Sequence, residues 1–75
     1  MRVFFDYTNH DESLYDYKGN EFPSDHAAIE FAEEMVNFLR DSLTGAWNGW
    51  SIEVRAADGK AISSLPVGNS TPIVA

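Results

Sequence analysis

The groups in this chain that could do chemistry are two histidines and twelve carboxylates, with hydroxyls scattered among them and no cysteine. His10-Asp11-Glu12 sets three potential metal ligands in a row. Adjacent residues in one turn do not converge on a single ion without a ligand from elsewhere, and no second histidine is placed to supply one. The triplet therefore reads as a polar turn. His26 precedes Glu30 by one helical turn, a spacing that suits a solvated side-chain pair. An oxygen-only calcium loop needs acids alternating around a glycine. Asp16, Asn20 and Glu21 approach that pattern, but Lys18 occupies a ligand place. Nucleophilic catalysis needs a serine or threonine beside a base and an orienting acid, and no nucleophile-elbow, phosphate-loop or serine-lysine pattern is present. A carboxylate pair works only in a pocket that shifts its pKa, which a two-layer domain of 75 residues rarely encloses. The expectation is a protein that is not an enzyme, with no catalytic residue, no metal and no cofactor.

What remains is recognition, and charge narrows the partner. Residues 1 to 43 carry ten acids against Arg2, Lys18 and Arg40, a balance of −7; residues 44 to 75 carry Glu53 and Asp58 against Arg55 and Lys60, a balance of zero. Nucleic-acid binding draws on clustered Lys and Arg releasing counterions at phosphates, and five scattered basic residues make no such footprint. Direct binding to nucleic acid is disfavoured. No apolar run of signal-peptide length appears in residues 1 to 20, where Asp6, Asp11, Glu12 and Asp16 interrupt the sequence, so neither an export signal nor a membrane span is expected. With no cysteine for a disulfide framework, a cytoplasmic location follows.

At this length one domain is expected, burying only about 60% of the unfolded chain's surface. RVFFDY alternates as a strand, with Val3, Phe5 and Tyr7 on one face and Arg2, Phe4 and Asp6 on the other. After the polar TNHDES turn, Leu14 to Tyr17 reads as a return strand, ended by Lys18-Gly19-Asn20. Ser24 is placed to cap a helix whose apolar half is Ala28, Ile29, Phe31, Ala32, Met35, Val36, Phe38, Leu39 and Leu43, with Leu39 at its centre. The helix should stop near Thr44-Gly45. WSIEVRA alternates again, Asp58-Gly59 reads as a two-residue hairpin turn, and KAISSL returns as the last strand. The expected fold is α+β: a two-layer ββαββ domain over residues 1–66, a four-stranded antiparallel sheet with one amphipathic helix on one face. Residues 67–75 are expected to be a flexible tail.

Several of these segments together resemble a family of short uncharacterised alphaproteobacterial proteins, a domain of unknown function. The resemblance rests on RVFFD at the N-terminus, GNEFP, the helix start SDHAAIEFAEE, and WSIEVRAADG near the end. Val3 stands where that family usually has an aromatic, and the paired tryptophans are not a family mark. The resemblance supports the fold and lends no activity.

A single helix covers one face of such a sheet, so the other must meet water or a partner. If Val3, Phe5, Ile52 and Val54 lie under the helix, the open face carries Phe4, Tyr15, Tyr17 and Arg55, with Ser51 and Glu53. Trp50 should anchor the core, while Trp47 can either cap it or stand at its rim as a contact residue. Phe4, Tyr15, Tyr17, Trp47 and Arg55 are thus the candidate protein contacts, and Phe4 and Tyr15 are expected to be cross-strand neighbours. The leading expectation is a small interaction module or accessory subunit working through the open sheet face, with another protein or as a homodimer. The alternative is an acidic antagonist that mimics nucleic acid toward a basic partner.

Overall fold

The computed structural model describes residues 1–41 and 45–68. The aromatic and β-branched N-terminal segment forms β1, Arg2–Thr8, with its alternation intact: Val3 and Phe5 are buried toward the helix, and Phe4 and Asp6 point the other way. β1 lies inside the sheet. On one side it pairs antiparallel with β4, Ser51–Ala56, in a register that runs from Val3↔Ala56 to Thr8↔Ser51.

On its other side β1 meets two short strands instead of one return strand. β2, Ser13–Leu14, pairs as Tyr7↔Leu14 and Thr8↔Ser13, and β3, Asn20–Glu21, pairs as Arg2↔Glu21 and Val3↔Asn20. Between these pairs, residues 15–19 stand opposite only residues 4–6 of β1, five against three, so the chain must bow out of the ladder. The expected strand over Leu14 to Tyr17 is broken for that reason, and the antiparallel sheet has five strands where four were expected.

The helix α1, Asp25–Arg40, begins as its cap residue dictates: Ser24 Oγ accepts from the Ala27 amide at 3.1 Å. It ends at Arg40, with the Asp41 amide donating to the Asn37 carbonyl, short of the expected stop near Thr44. Leu43 and Thr44 lie outside the described residues. The buried stripe is Ala28, Ala32 and Val36, whereas Leu39 is half-buried and Phe38 is 77% exposed. At 100° per residue the stripe centres on Ala32, so the helix is rolled by about 30° from the centre of its apolar half. The roll seats small alanines close to the sheet and turns Phe31 and Phe38 outward along one flank.

β4 and β5, Ala61–Pro66, form the closing hairpin. Its loop is one residue longer than expected. The Gly59 amide donates to the Ala56 carbonyl and the Ala56 amide to the Lys60 carbonyl, leaving Ala57, Asp58 and Gly59 in the loop, with Gly59 at φ +91°. A bulge follows, since Val54 pairs with Ser63 and Arg55 with Ala61. The strand order is β2-β1-β4-β5, with β3 also on β1, and α1 packs over β4 and β5. Val67, assigned to the tail by sequence, is a core residue: it is 1% exposed and its amide donates to the Trp50 carbonyl. Gly68 is also among the described residues, and residues 69–75 of the expected tail lie outside them.

Candidate functional site

Because α1 sits over β4 and β5, the helix-side surface of β1 is left to be covered by aromatic rings. Phe5 packs against Phe22 and Phe31 at ring-centroid distances of 5.7 and 5.5 Å, and Tyr7 packs against Trp47 at 5.7 Å. Trp47 in turn meets Trp50 edge-on at 5.1 Å. The cover is incomplete. An open groove of about 540 Å³ runs between the helix flank and the β1–β2 edge. Phe5 and Tyr7 form its floor, Phe31, Met35 and Leu39 its helical wall, Leu14 and Tyr15 its outer lip, with Trp47, Asp16 and Asn20 completing the lining. The Tyr7 hydroxyl donates to Met35 Sδ. Burial, and then the negative charge of Asp16, push the Tyr7 phenol above its ordinary pKa, so the floor stays uncharged.

The opposite face of the sheet carries a charged clamp. Asp6, only 4% exposed, accepts from Arg55 Nε at 2.6 Å and Nη2 at 3.2 Å, and from the Asp16 amide at 2.9 Å. Arg55 Nη2 also donates to the Asp16 carbonyl at 3.1 Å. Asp16 itself organises the bowed segment. One carboxylate oxygen accepts from the Lys18 and Gly19 amides, each at 3.0 Å, and the other accepts from the Phe5 amide at 3.1 Å. That Phe5 amide points to the place where an unbroken edge strand would offer a carbonyl, so the side chain substitutes for the missing ladder. Burial pushes the Asp16 carboxyl up, but the three amides and the Arg55 guanidinium outweigh it and hold it below its ordinary value. The Asp6 bond and the neighbouring carboxylates likewise raise Arg55, against the opposing effect of burial.

Phe4 is sandwiched into this clamp. The Arg55 guanidinium stands 4.8 Å from the centre of its ring, and Gly19 lies so close that a Cβ there would come within 2.9 Å of the ring. Gly19 has φ +71°, so two independent constraints require glycine at this position.

The five residues expected to form one contact surface are therefore divided. Phe4 and Arg55 do meet on the open face, but they are engaged with each other and with Asp6. Tyr15, 57% exposed, lines the groove instead, and the register pairs Leu14 with Tyr7, so the expected Phe4–Tyr15 neighbours are not formed. Tyr17 is 88% exposed within the bowed segment, and Trp47 is half-buried in the groove lining. Trp50 packs on the core. Sequence reasoning missed Asp6, Asp16, Leu14, Phe31 and Met35 as members of either site. The available signal was Asp6 itself, an acid in the middle of an otherwise aromatic strand.

The histidines stand apart from both features. Asn9 Oδ1 accepts from the Asp11 and Glu12 amides at 2.7 and 2.8 Å, closing the turn that carries His10. His26 Nε2 lies 3.1 Å from Glu30, both exposed. Among the described residues no group of three or more His, Cys, Asp or Glu is arranged to hold a metal ion, and no helix is long and apolar enough to cross a membrane.

Residues 2–68 match the family described as Domain of unknown function (DUF6894), and the chain belongs to that family. The match takes in Val67, in agreement with its place in the core. No curated protein and no solved structure matches the chain.

Proposed function

We propose that this member of the DUF6894 family is a small protein-interaction module whose groove receives a basic, apolar-anchored helical segment of a partner protein. The observation that carries the reading is the concentration of exposed apolar side chains around one concavity. Leu14, Tyr15 and Phe31 are 48, 57 and 39% exposed and all line the groove, and Phe38, one heptad beyond Phe31 on the same helix flank, extends that surface at 77%. Contiguous apolar surface of this kind on a small domain marks a contact site. The groove is open to solvent, whereas small-molecule sites enclose most of their ligand. Side chains projecting from one face of a helix suit an open trough.

The basic character of the partner follows from charge. The groove is built largely from the half of the chain with a balance of −7, Asp16 is part of its lining, and Glu34 is exposed on α1 between Phe31 and Phe38. Lys and Arg flanking the anchors would gain association rate and orientation from that field. The open sheet face is the weaker choice, because its aromatic and its cation are already paired within the molecule. A bacterial, cytoplasmic setting, alphaproteobacterial by the sequence resemblance, fits a chain without cysteine.

The test is titration of the isotopically labelled protein with amphipathic peptides carrying Leu or Phe anchors and flanking Lys. Shifts at Tyr15, Phe31, Met35 and Trp47, reduced by Phe31→Ser and only weakened by salt, are the expected result. Binding that shifts the Glu30, Glu33 and Glu34 face and disappears at high salt would favour the acidic-antagonist reading, which rests on the same −7. No shift with any peptide, together with saturable filling of the groove by a small apolar ligand, would overturn the protein-docking reading.

A further inference from the structure

The two edges of the sheet are built differently. The β2/β3 edge is broken by the bowed segment and carries Asp11, Glu12, Asp16, Lys18 and Glu21 on or beside it. Short strands, interruptions and charges are the devices that keep an edge from pairing with another chain. The β5 edge has six residues, Ala61–Pro66, and no charged side chain from Ala61 through Gly68. Its guards are the bulge and Pro66, which lie at its two ends. Among the described residues β4 is its only strand neighbour.

We infer that two copies of the chain pair through β5, antiparallel and about a twofold axis at Ser64. The register supports this centre. The Val67 amide donates to Trp50, and Leu65 and Ser63 stand opposite Ile52 and Val54, so alternation turns the main-chain groups of residues 63, 65 and 67 toward β4 and those of Ser64 and Pro66 outward. Ser64 then exchanges two hydrogen bonds with its own copy. Ile62, which the bulge leaves without a partner in β4, donates to the Pro66 carbonyl of the second copy on each side, for about four main-chain bonds in all. Pro66 serves there as an acceptor only, which its missing N–H permits.

Charge selects this edge for self-association. Residues 44–75 balance Glu53 and Asp58 against Arg55 and Lys60, so the −7 lies in the other half of the chain, where two copies would repel. The Glu53 side chains of the two copies would be separated by three strand spacings, about 14 Å, beyond the screening length at physiological salt. Ser64 Oγ donates to Glu53 within each copy at 2.7 Å, and the twofold brings two neutral hydroxyls together. The groove lies at the opposite edge of the sheet, so the dimer presents two grooves facing away from each other. This inference does not depend on what the groove binds.

The experiment combines sedimentation equilibrium of the full chain, from about 10 µM to about 1 mM, with amide exchange at Ser64. A dimer whose formation slows Ser64 exchange as concentration rises is the expected result. Ser64→Pro removes the outward donor and leaves the β4 ladder intact; Ser64→Lys places two like charges on the axis. Each should weaken dimerisation by at least about tenfold while the far-ultraviolet spectrum is retained, and the lysine variant carries the test if the proline variant does not fold. A parent protein that stays monomeric at the highest concentration, a Ser64 amide that exchanges at the same rate throughout, or a dimer indifferent to a folded variant would each overturn the inference.

Discussion

Replacing Arg55 by methionine keeps an unbranched apolar side chain and removes the guanidinium from Asp6 and from the face of the Phe4 ring. The Asp6 side chain is 6% exposed, and of its three donors two belong to Arg55, so the variant leaves a buried carboxylate with the Asp16 amide alone. Stripping one partner from a buried ion pair costs about 3 to 5 kcal/mol. The lower end applies here, because Arg55 itself is 30% exposed and water can follow into the vacated site. At 0.05 to 0.15 kcal/mol per residue a chain of this length has a stability of about 4 to 11 kcal/mol. A loss of about 3 kcal/mol is a large share of that. It corresponds to a melting temperature lower by about 12 to 24 °C at 4 to 8 °C per kcal/mol. The assay is urea unfolding followed by the fluorescence of Trp47 and Trp50, which pack on each other and on the core. The midpoint should fall with little change in slope. Adding Asp6→Asn should restore at least about half of the loss, since the uncompensated charge is then gone. A single variant within about 0.5 kcal/mol of the parent, or a double variant no better than the single, would refute a stabilising role for the clamp.

Two further outcomes test the bowed segment. Gly19→Ala forces a side chain into a left-handed conformation and to within 2.9 Å of the Phe4 ring, so urea unfolding should show a loss of about 1 to 2 kcal/mol or more. Asp16 is held below its ordinary pKa when folded, so its contribution is fully present above the unfolded value near about 3.9 and is lost as pH falls through the folded value. Stability measured from about pH 5 down to about pH 2 should therefore fall less steeply in Asp16→Ala than in the parent, from a lower starting point.

The elements whose bonds are local could be read from the chain alone. Ser24 and the 3.6-residue period define a helix because each helical bond closes within four residues, and Ser24 accepts from Ala27 only three positions away. Asp58-Gly59 places the last hairpin for the same reason, even though the loop takes in Ala57 as well. The faces of β1 and β4 follow from an alternation of period two, so Val3, Phe5, Ile52 and Val54 were identifiable as the side beneath the helix.

The contacts that bring distant segments together at the two candidate sites lie beyond that range. Arg55 reaches Asp6 across 49 positions, and Tyr7 reaches Met35 across 28. Asp16 could not be recognised as a substitute for a strand until the register showed five residues facing three. The roll of the helix, which sets Ala32 rather than Leu39 at the centre and leaves Phe31 and Phe38 outward, was decided by how closely small side chains allow the helix to approach β4 and β5. An apolar half-circumference marks which residues can be buried; the partner surface, assembled from distant segments, selects which of them are. The same selection draws Val67 into the core from a stretch whose composition reads as tail, because its amide continues the ladder at Trp50 and its side chain closes the apolar layer.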